Sequence, residues 1–498
     1  MKILNIASRS VTIELDSDKP YFHEREYTVY LNGAEILKDN RNVFTLFDLI
    51  PDTDYCVKVL NEEIKFITSP ESTFFNVLDF NAKGDGISDD TIFIQAAIMA
   101  SKDNGCVYLP KGTYLVSSLF LKSNLTLYLD KNAKIIAKTD RNEFPTYPSE
   151  SNIATWEGSI RKCFTSIINC VNVENVNIIG GGTIDCQARN SDWYIDHRNI
   201  RIACRGNAVF YSRSKNINLI GLSIKDTQSY AVHPLFSENL KFYNLKIENN
   251  PNMPTTDGID PDFSSNIEIK GNYISVGDDC IAIKSGTYEL AKECLSSSKN
   301  IVISNNYMEK GHGGVVFGSE SSGGITNVLI EKCIFKNTDR GFRLKTRRGR
   351  GRIGSIDNVI FRNVYMDNVK TPFVVNMYYN MGPKGGHEEY VWTYEKQPFT
   401  DLTPVVGKFK FENIVCENVE YAAGCFLGLP ESKIQSLEFH NVTFNYKDEA
   451  EEGIPAMIEH PFKLCKAGLF ALNVDDIKLE STVFNGLATE EIISKDSI

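Results

Sequence analysis

Several features are missing from this chain, and each absence narrows its class. No apolar run approaches the ~18 residues of a membrane helix, so no such span is expected. The opening stretch, Met1-Lys2 then Ile3-Leu4-Asn5-Ile6-Ala7 before Ser8-Arg9, is too short and too interrupted for the apolar region of a signal peptide, which points to a cytoplasmic protein. Twelve cysteines are present without a C-x-x-C pair, and 498 residues can bury a core without covalent staples, so these read as reduced core or near-core thiols. Positive charge is not in excess either. Lys plus Arg number 53 against 64 Asp plus Glu, a net charge of -11 that argues against nucleic acid or an anionic membrane as partner but leaves room for a local basic site. With 42% hydrophobic and 23% charged residues the chain is not disordered, and its length implies two or three domains or one long repeat array.

Helical pattern is scarce as well. Residues 1–68 carry strand signals: Val11-Thr12-Ile13-Glu14-Leu15 alternates, Tyr27-Thr28-Val29-Tyr30-Leu31 runs into the hairpin pair Asn32-Gly33, and Tyr55-Cys56-Val57-Lys58-Val59 alternates again. This predicts a small β-sandwich. The stretch Leu49-Ile50-Pro51-Asp52-Thr53-Asp54-Tyr55 resembles the fibronectin type III pattern, in which a Tyr near a strand start bonds back to the upstream turn. After the linker Thr68-Ser69-Pro70-Glu71-Ser72, one helix is expected over 89–102, opened by two aspartates and presenting Ile94, Ala97 and Ile98 to a core, and only short strands follow it.

Those strands repeat. An Asn leads an alternating apolar stretch at Asn175, Asn216, Asn239, Asn266, Asn300, Asn327 and Asn358, with intervals of 41, 23, 27, 34, 27 and 31 residues. A ragged period of this size, β-branched strands and frequent Asn and Gly predict an all-β, right-handed parallel β-helix over 73–498, one repeat per coil. Asn side chains stacked on successive coils can then bond one another.

Equal phase in adjacent repeats means adjacent places on one face. Asp278 lies 12 residues after Asn266, and His312 lies 12 after Asn300. Asp257, 21 residues before Asp278, and Arg343, 31 after His312, extend the row with looser phase. Neighbouring coils stand roughly 4.8 Å apart, so Asp257, Asp278, Asp279, His312, Arg343 and Lys345 form one strip. Clustered carboxylates raise at least one pKa, giving an acid beside ionised neighbours. One to two coil spacings fit the ~6.5–9.5 Å acid-to-base gap of inverting glycoside hydrolysis. Strict alternation would send Asp278 and Asp279 to opposite faces, so a bend or bulge is expected at Gly277. A solvated turn or a calcium site is the competing reading of the aspartates, and a solvated basic loop that of the run Arg343-Leu344-Lys345-Thr346-Arg347-Arg348-Gly349-Arg350-Gly351-Arg352, six cations in ten residues. Alternation puts Arg343 and Lys345 on one face, suited to clamping carboxylates of an anionic chain. No aromatic interleaving or RNA motif accompanies the run.

Thr255-Thr256-Asp257-Gly258-Ile259-Asp260, Val276-Gly277-Asp278-Asp279-Cys280, Gly311-His312-Gly313 and Arg343-Leu344-Lys345, in this order, resemble the four signature motifs of the polygalacturonases, glycoside hydrolase family 28. The resemblance covers about 70–445 and includes Lys83-Gly84-Asp85-Gly86 and Leu109-Pro110-Lys111-Gly112-Thr113-Tyr114. It implies hydrolysis of α-1,4-galacturonan with inversion, without a cofactor or metal. Asp278 would be the general acid, Asp257 and Asp279 would activate water, His312 would support the protonation of the acid, and Arg343 and Lys345 would bind substrate carboxylates. Thr255 departs from the family's usual Asn. The segment 338–351, Val232-His233-Pro234, the stretch ending Met377-Tyr378-Tyr379 and the N-terminal module are similar to bacterial exo-acting members, which cut from the non-reducing end. An exo enzyme needs loops closing one end of its groove, and 187–205 and 379–404 are long enough. Trp193, Arg201 and Arg205 in the first loop are candidate pocket residues, and His233 and Tyr378 candidate substrate contacts. A pectic poly- or oligosaccharide is the implied partner. An endo enzyme, a rhamnogalacturonan or xylogalacturonan hydrolase, a calcium-dependent lyase and a non-catalytic carbohydrate-binding solenoid are the alternatives, and the oligomeric state is left open.

Overall fold

The computed structural model describes residues 1–195, 197, 199–380 and 388–495. The first 67 residues form a β-sandwich. Strands Lys2–Ile6, Val11–Glu14 and Val43–Leu46 make one antiparallel sheet, and Ala34–Arg41, Phe22–Leu31, Asp54–Val59 and Glu62–Ile67 make the other. Alternation of strand residues points Val11, Ile13, Tyr27, Val29, Phe44, Leu46, Val57 and Val59 into a shared core. The Ile50 amide donates to the Tyr55 hydroxyl at 2.9 Å, the expected bond to the upstream turn. A separate cluster of Leu4, Ala7, Val43, Tyr128, Ile179, Ile220 and Tyr243 seats the sandwich on the flank of the larger body.

That larger body is a right-handed parallel β-helix. A representative coil runs through Ser265–Lys270, Tyr273–Val276 and Asp279–Ile283, and the next through Ser298–Ser304, Tyr307–Lys310 and Gly313–Gly318, each strand pairing in parallel with its successor. The core is built by stacking: Ile178, Leu219, Phe242, Ile269, Ile303, Ile330, Phe361, Phe411 and Phe439 are successive register partners and all fully buried.

The leading asparagines have two jobs. Each of the seven has a left-handed backbone, with φ between 54° and 58°, a conformation that Asn tolerates better than β-branched residues. Each side-chain amide also donates to the Asn one coil earlier, from Asn216 to Asn175 (2.9 Å) through Asn239, Asn266, Asn300 and Asn327 to Asn358 (2.7 Å). The predicted ladder is therefore present over its whole length, and it extends one coil further, to Asn124.

The expected helix is Thr91–Ala100, and its Ile94, Ala97 and Ile98 close the N-terminal end of the solenoid core. The expectation of strands alone beyond it needs correction. Helices Tyr288–Cys294 and Glu389–Trp392 lie in loops between strands. Both are shorter than the window over which a helical period shows itself. Among the described residues no helix is long and apolar enough to cross a membrane.

On the third strand of each coil, Val315, Phe317, Phe342 and Leu344 face the core. Alternation then turns Asp260, Lys284, Arg343 and Lys345 outward onto a common face. This face carries the site.

Candidate active site

Asp257 and Asp279 sit side by side on successive coils, since Ile259 bridges Ile281 and the Gly258 amide donates to the Asp279 carbonyl at 3.0 Å. Asp278 stands at the bend between Tyr273–Val276 and Asp279–Ile283, where a change of sheet brings both aspartates to the cleft. Gly277 permits this bend because a Cβ there would lie 2.3 Å from the Met253 carbonyl oxygen. Oxygens of all three carboxylates lie within 4.8 Å of one another. This is tighter than the ~6.5–9.5 Å gap expected from coil spacing, because Asp257 and Asp279 are direct register neighbours and Asp278 adjoins the second.

The cations are apportioned unequally among the three. Lys345 Nζ lies 2.6 Å from Asp279 Oδ2 and Arg343 Nη1 lies 3.6 Å from Oδ1. Burial opposes ionisation of Asp279, but Lys345 and Arg343 outweigh it and hold the carboxyl below the usual range. Asp257 has Lys284 Nζ at 3.5 Å from Oδ2. Burial and the charge of Asp260 nevertheless hold the Asp257 carboxyl well above the usual range, against Lys284. Asp278 accepts the Thr255 amide at 2.9 Å, and among the described residues no cation lies within ion-pair distance of it. The three oxygens could surround a metal ion, but Lys284, Arg343 and Lys345 already face the same carboxylates. A dication would have to enter against three fixed positive charges, so the donor set fits a metal poorly.

His312 lies opposite Asp278 in register, as Asp279 pairs with Gly313, and its amide donates to the Asp278 carbonyl at 3.0 Å. Its Nδ1 is 3.0 Å from Asp339 Oδ2, and Asp339 Oδ1 accepts from Lys370 Nζ at 2.6 Å. The Asp339 bond raises the His312 pKa against burial, with Asp278 and Asp279 adding to the rise. Replacing Asp339 by Asn is expected to bring the imidazole back toward its ordinary range, read by NMR as a lower titration midpoint for His312. An unmoved midpoint would contradict the assigned hydrogen bond.

To one side of Asp278 opens a cavity of about 900 Å³, walled by Trp156, Arg201, Arg205, Thr255, Tyr288, Glu289, Arg347, Arg350 and Tyr390 among others. Arg205 is only 7% exposed. Its guanidinium donates to the Gln228 carbonyl (2.8 Å) and Thr255 Oγ1 (2.7 Å) and lies 5.2 Å over Trp156. Burial pulls its pKa below the usual arginine range. Arg201 also lines the cavity, bonded to Asp192 Oδ2 at 3.0 Å. Thr255 has φ of 59°, a left-handed geometry that strains a β-branched residue and that the family's Asn would accept more easily.

Two sequence candidates, Tyr378 and His233, do not reach the open cleft, and a third, Trp193, reaches it only at its edge. Tyr378 is fully buried with its hydroxyl on the Gly428 carbonyl at 3.1 Å, and the adjacent Tyr379 takes its expected place, 5.9 and 5.7 Å from the cations of Arg343 and Lys345. His233 is 3% exposed, packed against Phe210 and Tyr230 beneath the site. Trp193 borders the cavity but is 2% exposed, packed between Phe144 and Phe164 under Arg141. The basic run is also less of a sign reversal than its composition implied. Arg348 pairs with buried Glu431, Arg350 with Glu320, and Arg352 with Asp401. Of the proposed closing loops, residues 196, 198 and 381–387 lie outside the described residues.

Comparison with known proteins shows what the chain resembles. The model of the glycosyl hydrolases family 28 matches residues 110–425. A probable polygalacturonase of Vitis vinifera is 29% identical over 384 residues, 76% of this chain and 75% of its own. An exo-poly-alpha-D-galacturonosidase of Dickeya chrysanthemi is 25% identical, over 72% of this chain and 65% of its own. Among solved structures, the family 28 exopolygalacturonase of Yersinia enterocolitica superposes with a TM-score of 0.75 at 20% identity, covering 100% of this chain and 99% of that one.

Proposed function

The chain belongs to the glycosyl hydrolases of family 28, and on that premise we propose that it hydrolyses α-1,4-galacturonosidic bonds, working from the non-reducing end of pectic oligomers. One observation carries the reading: three carboxylates lie together, two of them paired with cations, and Asp278, which has no cation within ion-pair distance among the described residues, lines a basic cavity. Asp278, unpaired with any cation among the described residues, donates the proton to the leaving oxygen. Asp279 and Asp257 hold the attacking water. Asp279, kept ionised by Lys345 and Arg343, is the carboxylate able to accept from the attacking water, and a direct displacement with inversion follows from that role although the spacing of the carboxylates is short. His312, whose hold on its proton is strengthened by Asp339, stands beside Asp278 and supports its role as the acid. Arg343 and Lys345 meet substrate carboxylates, and Arg205, Arg201 and Arg347 line the cavity that takes the terminal uronate.

The exo reading is tested by the earliest products from unsubstituted galacturonan. Mono- or disaccharide is expected with little fall in viscosity, and the new reducing end is expected first as the β anomer by NMR. A ladder of mid-length oligomers at first sampling would make the enzyme endo-acting, and an α anomer would make it retaining. The same reading takes the N-terminal sandwich as a fibronectin type III-like module, supported by its three-plus-four strand division and the Tyr55 contact. It assigns the chain to a reducing compartment, in keeping with twelve free thiols, nine of them buried.

A further inference from the structure

Beneath the three aspartates lies a second set of charges. Lys284 is buried on the outward face, with Nζ 2.9 Å from Asp260 Oδ2, 3.5 Å from Asp257 Oδ2 and 4.0 Å from the centre of the Tyr230 ring. Asp260 is fully buried, and Lys284 is the one cation within ion-pair distance of it among the described residues. Such a group is not explained by stability. Burying an ammonium costs several kcal/mol, and a methionine would fill the same space without that cost.

We propose that Lys284 is a positioning residue that favours the ionised form of Asp257 against burial and Asp260, with Asp260 dividing the charge of Lys284 between itself and Asp257. The inference rests on the role given to Asp257 above. What favours it is the partition of cations. Asp279 has Lys345 and Arg343, Asp278 has none, and Lys284 is the only cation at Asp257 among the described residues. Two water-holding carboxylates thus each have a lysine within ion-pair distance, one of them shared with Asp260, and among the described residues the proton donor has none.

The titratable surroundings of Asp257 set the sign of the expected effects. Asp260 comes from its own coil, Asp278, Asp279, Cys280 and Lys284 from the next, Tyr230 and His233 from the one before, and Tyr194 from the cavity loop. Beyond Lys284 stands Glu320, paired with Arg350 at 3.1 Å. Burial and Asp260 push the Asp257 carboxyl up, and Lys284 pulls it down. Removing Lys284 therefore raises it further, and neutralising Asp260 lowers it.

The test is the pH dependence of kcat/KM on trigalacturonate for the full chain and for Lys284→Met, Lys284→Arg and Asp260→Asn. Lys284→Met is expected to move the acidic limb to higher pH and to lower kcat about tenfold at fixed acidic pH for each pH unit moved, with KM little changed because Lys284 does not line the cavity. Lys284→Arg is expected to restore the limb in large part, and Asp260→Asn to move it to lower pH. A merely structural lysine would not produce displacements of opposite sign. Unmoved limbs, limbs moving the same way, or a raised KM with intact kcat in folded variants overturns the proposal. Should Lys284→Met fail to fold, the direction of the Asp260→Asn limb decides it. A wild-type chain inactive on galacturonan overturns the underlying reading and this one with it, whereas wrongly signed limbs in an active enzyme overturn this one alone.

Discussion

Asp278→Asn is expected to lower kcat on oligogalacturonates by about 10²–10⁴ with the fold and thermal midpoint preserved. The amide removes the proton that the leaving oxygen must receive, while its own oxygen can still accept the Thr255 N–H that holds the side chain in place. Since no described cation pairs with Asp278, the substitution leaves no buried charge stranded. That makes it a cleaner probe than Asp279→Asn, which would abandon Lys345 and Arg343 in a nearly dry site. The comparison gives a second readout: Asp279→Asn should lose stability as well as rate. Near-normal turnover by a folded Asp278→Asn variant would sink the assignment of the acid.

Much of this site was legible by counting from the leading asparagines, and more than a first count yields. Asp278 and His312 share a phase of 12 residues after Asn266 and Asn300; Asp339 and Lys370 stand at the same phase after Asn327 and Asn358. In the structure these four are consecutive rungs, with Asp339 on His312 and Lys370 on Asp339. Likewise Lys345 is 18 residues after Asn327 and Lys284 is 18 after Asn266, so the buried lysine is the register counterpart of the one the motif had marked. Phase survives because the Asn ladder resets it on every coil, whatever the length of the loop between.

What counting missed lies where the chain leaves the strands. Tyr378 has the outward parity of Val374 and Asn376, but the strand ends at Asn376, whose own side chain accepts the Tyr378 amide at 2.9 Å and turns the ring inward. Alternation fails beyond a strand's last residue. Burial of His233 and Trp193 depends on Phe210, Tyr230, Phe144 and Phe164, which come from other coils and loops, and pairings of that kind leave no local pattern. The helix at Tyr288–Cys294 buries only Leu290 and Ala291, too little for a periodic signal. The acid partners that absorb the basic run, Glu431, Glu320 and Asp401, are likewise distant from it in sequence.

Arg205 is the residue whose environment most demands an absent anion, and its replacement is expected to separate activity from stability. Among the described residues no carboxylate lies within ion-pair distance, and a buried guanidinium held by two neutral oxygens pays for its charge with no ionic return. A uronate in the cavity would supply that partner, through charge-assisted bonds worth about 1.5–3 kcal/mol. Arg205→Met should therefore lower kcat/KM on oligogalacturonates about 10- to 100-fold, while the melting temperature holds or rises. On a substrate whose non-reducing terminal uronate is methyl-esterified, wild type and variant should converge, because the ester has no charge for the guanidinium to meet. A variant that melts earlier yet keeps its full kcat/KM would instead make Arg205 a strut for Thr255 and Trp156, and would leave the terminal uronate to be held by Arg201 and Arg347.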